Sequence, residues 1–263
     1  MDKPILFQGA MVRAILEGTK NQTRRILDPG MLRVRLPYEV RGDLPAVVGE
    51  GLRARPGSHP ARMNPQGAVS VLQPDGKHLG VKPGEFDFLC PYAEGTTRLV
   101  KGEWRIEPLG EQRLWVRETW ARLDDPTATL LFGGPARLVY KQELETAGKA
   151  LPANFSWKPS IHMRRDFSRL TLDVTEVRVQ RLQDITEEDA AAEGVSFDGR
   201  WWLGAEHPVK GSPKVFSAAR DAFASLWDSI NIDRGSWASN PFVWAVTFKR
   251  VEQLEAGQKR AHG

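Results

Sequence analysis

Residues 3–7 form a short apolar run that reads as a strand, and Met11, Val12, Ile15 and Leu16 then recur at helical spacing in one apolar stripe that Gly18 interrupts. Residues 113–117 have the apolar centre of a buried strand. Residues 130–140 read as a hairpin, and residues 168–180 alternate threonine, valine and leucine with polar side chains along one long strand. The segment 185–193 reads as a short helix: Thr186 precedes the acids Glu188 and Asp189, which suit a first turn, and Gly194 closes it. Residues 217–230 place Ala218, Ala222, Phe223, Leu226 and Trp227 at helical spacing, and residues 242–250 alternate as a last strand. From Asp28 to about Gly110 the chain is rich in glycine, proline and arginine. Its apolar alternations there, 68–72 and 85–89, are brief, so hairpins and ordered loops are expected, with residues 42–65 partly mobile. These patterns predict a β-rich mixed α/β fold in which the long strands wall a barrel and two or three helices pack outside it.

A length of 263 residues is long for one small barrel and short for two large domains. The expected organisation is one domain over 1–263 with an insertion over about 28–110. The formal charge of +4, with acids and bases interspersed, favours a basic cleft over a broad polyanion-binding face. A single cysteine, Cys90, excludes a disulfide within the chain and agrees with a cytoplasmic location. No apolar run is long enough to span a bilayer, and the first four residues do not lead into a signal-peptide core, so a soluble protein without a membrane partner is expected.

Two common chemistries find little support. His59, His78, His162, His207 and His262 are scattered, without paired metal-ligand spacing, and Cys90 has no histidine near it in sequence. The glycine pair Gly133-Gly134 precedes a proline and lacks the Gly-Lys-Ser/Thr pattern that cradles a triphosphate. No metal or other cofactor is expected. Of the tryptophans, Trp227 falls on an apolar helical stripe and Trp244 in an alternating strand, which suits core positions. Trp120 and Trp157 flank polar clusters at strand ends and are the candidates for stacking on a base.

The densest chemistry lies just after the first helix. Gly18 can take positive φ and turn the chain sharply, which brings Lys20 and Thr23 into one turn beside Arg24 and Arg25. Burial and neighbouring cations both depress a lysine pKa, and such a lysine can serve as a base toward a hydroxyl or water. The same cations also suit a plain helix C-terminus facing solvent.

The spacing Gly18-x-Lys20-x-x-Thr23-x-Arg25 resembles the signature of the ASCH domain, a small β-barrel family related to PUA RNA-binding domains. Residues 114–120 (LWVRETW), 157–163 (WKPSIHM), 184–194 (DITEEDAAAEG) and 240–248 (NPFVWAVTF) resemble, in order, the ASCH-type proteins common in bacteriophage and prophage genomes. The resemblance implies a PUA-like barrel. It departs at residues 110–114, where the family's Gly-Asp-x-Leu turn is one residue longer and carries Glu111.

In the bacterial ASCH enzymes that cleave the acyl amide of N4-acetylcytidine, a lysine and a threonine of this motif act with a glutamate at a later helix end. Lys20 and Thr23 match the first two, and the ninth position of the segment beginning at Ile185 is Glu193. The resemblance thus implies an amidohydrolase acting on N4-acylated cytosine or cytidine. Thr23 attacks the carbonyl or positions a water, Lys20 moves the proton, and Glu193 holds the lysine or protonates the ring nitrogen. Arg25 is expected to hold a carbonyl or ribose oxygen or to buttress the turn. Arg117, Glu118, Lys158, Ser160 and His162, with Trp120 and Trp157, are expected to bind the pyrimidine. Glu187, Glu188 and Asp189 are left as helix-start charges. Two alternatives stay open: a module that binds RNA or a modified base without turnover, and a ribonuclease.

Overall fold

The structure is a computed structural model that describes residues 2–28, 33–35, 58–64, 66–72, 77–82, 86–123, 126–127, 131, 137–150, 155–206 and 213–251. The chain divides into two compact units. The first comprises Met1–Asn21, Arg113–Asp173 and Phe248–Gly263, and the second Gln22–Gln112 and Val174–Thr247. The strands Thr171–Arg181 and Phe242–Val251 contribute residues to both.

In the first unit the strand Lys3–Leu6 runs parallel to Arg113–Arg117, with Ile5 opposite Val116. Arg113–Arg117 in turn pairs antiparallel with the start of Thr171–Arg181, Leu114 opposite Leu172. Helix α1 (Gly9–Leu16) buries Val12, Ala14 and Ile15, the stripe read from its spacing. It ends where Gly18 adopts φ 77°. There the Gly18 N–H donates to Ile15 O at 3.2 Å and the Thr19 N–H to Ala14 O at 2.9 Å, the pair of bonds that satisfies the last carbonyls of a helix capped by a left-handed glycine. Trp120–Leu123 pairs antiparallel with Arg137–Tyr140, which leads directly into helix α2 (Lys141–Thr146). Of the hairpin expected over 130–140, the described strand therefore pairs back to Trp120–Leu123, and residues 130 and 132–136 lie outside the described set.

In the second unit Gln22–Ile26 pairs antiparallel with Phe242–Val251, Thr23 opposite Val246. The hairpin Gly95–Val100/Glu103–Pro108 joins Thr171–Arg181, with Trp104 opposite Val179. A five-stranded sheet follows the order His78–Val81, Val69–Leu72, Ser58–Met63, Arg33–Arg35, Asp87–Phe88. Much of the expected insertion is therefore ordered sheet, as its brief alternations suggested. The glycine-rich stretch 42–57 lies outside the described residues.

Helix α3 (Glu187–Ala192) has Thr186 as its N-cap, accepting from the Asp189 N–H at 3.1 Å, and Gly194 follows at φ 86°. Helix α4 (Ala219–Gly235) buries Ala219, Ala222, Phe223 and Trp227 against Leu182, Ile185, Ala190 and Val243. A three-stranded sheet, Ser196–Phe197, Trp202–Glu206 and Pro213–Phe216, lies before it in the chain. The molecule is thus a strand-rich mixed α/β protein with several sheets. No closed barrel is found among the described residues, in contrast to the expected barrel. No described helix is long and apolar enough to cross a membrane.

Candidate functional site

Lys20 belongs to the first unit, and Thr23, Arg25 and Glu193 belong to the second. In the second unit, successive side chains of Gln22–Ile26 point to opposite faces of the sheet, so Gln22 and Arg24 share one face and Thr23 and Arg25 the other. Arg24 is 4% exposed and sits in a dense polar network. Its Nη1 donates to Glu193 Oε1 at 3.0 Å and to Gln22 Oε1, and its Nη2 donates to Asp189 Oδ2 at 2.8 Å. Gln22 Nε2 donates to Asp189 Oδ1 at 3.1 Å, and Arg178 Nη2 donates to Asp189 Oδ2 at 2.7 Å. The Phe223 ring lies 5.9 Å from the Arg24 guanidinium.

Asp189 is therefore more than a helix-start charge. Burial alone raises its pKa, but the hydrogen bond and charge of Arg178, followed by those of Arg24, outweigh that and hold it below 3.8. Glu193 is the C-cap of α3, only 5% exposed, and is the second carboxylate on Arg24. Thr23 is 2% exposed. Arg25 has its pKa lowered by burial, against the raising effect of Tyr92 and Glu193, while burial raises the Tyr92 phenol against the charge of Arg25. Arg25, Tyr92 and Glu193 therefore feel one another's charge.

Sequence reasoning missed Arg24, Gln22, Arg178 and Tyr92. The period-two pairing of Gln22 with Arg24 was readable once residues 22–26 were taken as a strand. That α3 would present Asp189 and Glu193 to the same guanidinium was not.

In the first unit Lys20 is 2% exposed, with Nζ 5.8 Å from the Phe7 ring centroid and its N–H donating to Ala14 O at 3.0 Å. A cation following a helix would ordinarily face solvent; this one is buried. Glu118 was expected to bind a pyrimidine. Instead it is buried and accepts two hydrogen bonds from Arg169, Nε to Oε1 and Nη2 to Oε2, each 2.9 Å, and Arg169 also stacks 4.1 Å from the Tyr140 ring. Its carboxylate is committed to the protein's own arginine.

Trp120, expected as a stacking platform, is 5% exposed in a cluster with Trp115 and Met163. Phe167 packs 4.9 Å from its ring and Lys158 Nζ lies 4.9 Å from its centroid. Trp157 is half-buried against the cluster of Ala121, Leu123, Val139 and Leu144. Arg117 covers the Trp115 ring at 4.7 Å. Lys158 and His162 are exposed and Ser160 is half-buried, the last two in the 3₁₀ turn Ser160–His162. Among the described residues no group of three histidine, cysteine, aspartate or glutamate side chains is arranged to hold a metal. No family model, no curated protein and no solved structure matches the chain.

Proposed function

We propose that this protein is an ASCH-type amidohydrolase that removes the acyl group of N4-acylated cytosine or cytidine, with Lys20, Thr23 and Glu193 as its chemical groups. The observation that supports this reading is burial. The three polar residues singled out by the motif, lying after a helix, in a strand and at a helix end, are 2%, 2% and 5% exposed. Lysine and glutamate are rarely so enclosed unless paired or functional, because withdrawing an ion from water is costly.

In this mechanism the Thr23 hydroxyl attacks the acyl carbonyl, or holds the water that does, and Lys20 accepts its proton. The proton then passes to the exocyclic N4 nitrogen as the acyl C–N bond breaks, releasing cytosine or cytidine. If Thr23 is the nucleophile, water hydrolyses the resulting ester and regenerates the hydroxyl. Glu193 is fixed by its bond from Arg24. The proposed fold remains that of a PUA-like domain, opened and extended by the additional strands.

The test is release of acetate from N4-acetylcytidine by the purified chain. Thr23→Val keeps the buried shape without the hydroxyl and is expected to lower kcat by at least about 100-fold, while Thr23→Ser retains part of it. Lys20→Met and Glu193→Gln are expected to lose turnover as well. An active Thr23→Val enzyme overturns the reading.

A second reading, binding of RNA or a modified base without turnover, draws on the exposed cations Lys158 and Arg164, which lie against the aromatic rings of Trp120 and Phe167. Retention of labelled RNA in a gel shift, with no acetate released, supports it. Strand cleavage in the same incubation identifies a ribonuclease.

A further inference from the structure

Within the first unit Arg117 differs from its fellow arginines. It is half-buried, with its guanidinium 4.7 Å from the Trp115 ring centroid, and that guanidinium makes no hydrogen bond or ion pair among the described residues. The other half-buried arginines described in this unit are all paired: Arg113 with Asp173 at 3.1 Å, Arg165 with Asp2 at 3.0 Å and Arg169 with Glu118 at 2.9 Å. Withdrawing a cation from water without a counter-ion is costly. Of the Arg117 side-chain nitrogens only Nε is both buried and unbonded, so the Nη pair is the part that reaches solvent.

Strand register fixes what lies beside it. In the parallel pair of Lys3–Leu6 with Arg113–Arg117, Leu6 is the partner of Arg117 and Pro4 the partner of Trp115. Side chains alternate along a strand and partners share a face, so Pro4, Leu6, Trp115 and Arg117 lie on one face. Ile5, Leu114 and Val116 lie on the other, where all three are buried. On the Arg117 face Pro4 is exposed and Leu6 is 41% exposed. An open apolar surface thus adjoins a guanidinium whose outer edge is open as well.

Rigidity and charge narrow the kind of ligand. Trp115 is held in a buried cluster with Trp120 and Met163, so the ring that supports Arg117 is fixed. An arginine lying over a ring keeps its planar fork free for two parallel hydrogen bonds to one anion. The surroundings are positive. Lys158 is exposed, has Nζ 4.9 Å from the Trp120 ring centroid, and makes no ion pair among the described residues. Glu118, next to Arg117 in the chain, has its carboxylate taken by two bonds from Arg169.

We propose that Arg117 heads a binding site for a small organic oxyanion, a carboxylate or a phosphate monoester, whose compact apolar body rests on Leu6 and Pro4. Two oxygens of the anion accept from the Arg117 Nη groups, and Lys158 adds attraction at longer range. The site lies within the first unit and uses none of Lys20, Thr23 or Glu193, so it stands or falls apart from the acyl-amide reading.

Titration of the isotope-labelled full chain with benzoate, phenyl phosphate, neutral benzamide and inorganic phosphate, followed by amide chemical shifts, tests this. At least one of the two organic anions is expected to bind with a dissociation constant on the order of 1 mM or tighter, and the tighter of them tells carboxylate from phosphate. Benzamide lacks the charge and inorganic phosphate lacks the apolar body, so each is expected to bind at least about tenfold more weakly. Arg117→Met keeps an aliphatic cover on Trp115 and is expected to weaken the bound anion at least about tenfold. It is expected to leave the urea midpoint unchanged, since no bond of the protein is lost; a purely structural arginine would show the reverse. Leu6→Ser is expected to weaken the organic anion as well, whereas Arg13→Met, at an exposed arginine of α1, is expected to change nothing. Absence of binding by both organic anions, equal binding of benzamide or inorganic phosphate, full affinity in Arg117→Met or Leu6→Ser, or an equal loss in Arg13→Met overturns the proposal.

Discussion

At the scale of single residues, the second unit is organised around one buried guanidinium. Arg24 joins Gln22, Asp189 and Glu193, and only its position on the inner face of a strand makes those bonds available. Replacing it with methionine leaves Glu193 buried without that arginine and Asp189 with Arg178 and Gln22. Loss of one partner from a buried ion pair costs about 3–5 kcal/mol, so Arg24→Met is expected to lower the urea midpoint sharply, whereas Thr23→Val lowers turnover with little change in midpoint. Asp189 adds a pH signature. Its folded pKa lies below the ordinary 3.8, so the stability it contributes is present above that value and is lost as pH falls through the folded pKa. Urea midpoints measured between neutral pH and about pH 3 are expected to fall at the acid end, and less steeply in Asp189→Asn. The sequence marked Lys20 and Thr23 through the turn at Gly18, and Glu193 only through the resemblance to the ASCH motif. It gave no sign of Arg24, because an arginine in a row of cations reads as a solvated one until a helix is seen to cover it.

At the scale of elements, α3 was legible almost to the residue: Thr186 caps it, acids fill its first turn and Gly194 closes it, all local requirements of helix ends. Its use was not legible. Glu187 Oε2 accepts from the Ala219 and Arg220 N–H groups at 2.8 and 3.2 Å and so caps α4, whose own N-cap residue, Ala218, provides no side-chain bond. Glu187→Ala is therefore expected to destabilise the protein by about 1 kcal/mol, the usual worth of an N-cap. Thermal unfolding of this variant beside Glu188→Ala measures it, and the neighbour is expected to change little. Trp120 illustrates the opposite failure. Its place beside polar residues suggested an exposed platform, but the chain returns through Lys158 and Phe167 and covers the ring.

At the scale of the whole molecule, the division into two units depends on segments far apart in sequence. The first unit assembles Arg113–Asp173 with a strand and a helix from the chain's beginning: Lys3–Leu6 is the parallel partner of Arg113–Arg117. A fragment of residues 113–173 alone lacks that strand and α1, and is expected to remain unfolded, with a coil-like circular dichroism spectrum and poorly dispersed amide resonances. A folded fragment contradicts this. Sequence by itself marked α1, α3, α4 and the long strands but not α2, since period and end signals are local properties of the chain. It also marked much of the region 28–110 as short strands joined by turns. Tertiary structure alone decided that the described strands form several sheets with no closed barrel among them, that Glu118 is bound by Arg169, and that one arginine gathers Asp189 and Glu193. Those outcomes depend on which distant segments meet, and the energy of a buried charge is set by its neighbours in space rather than in sequence.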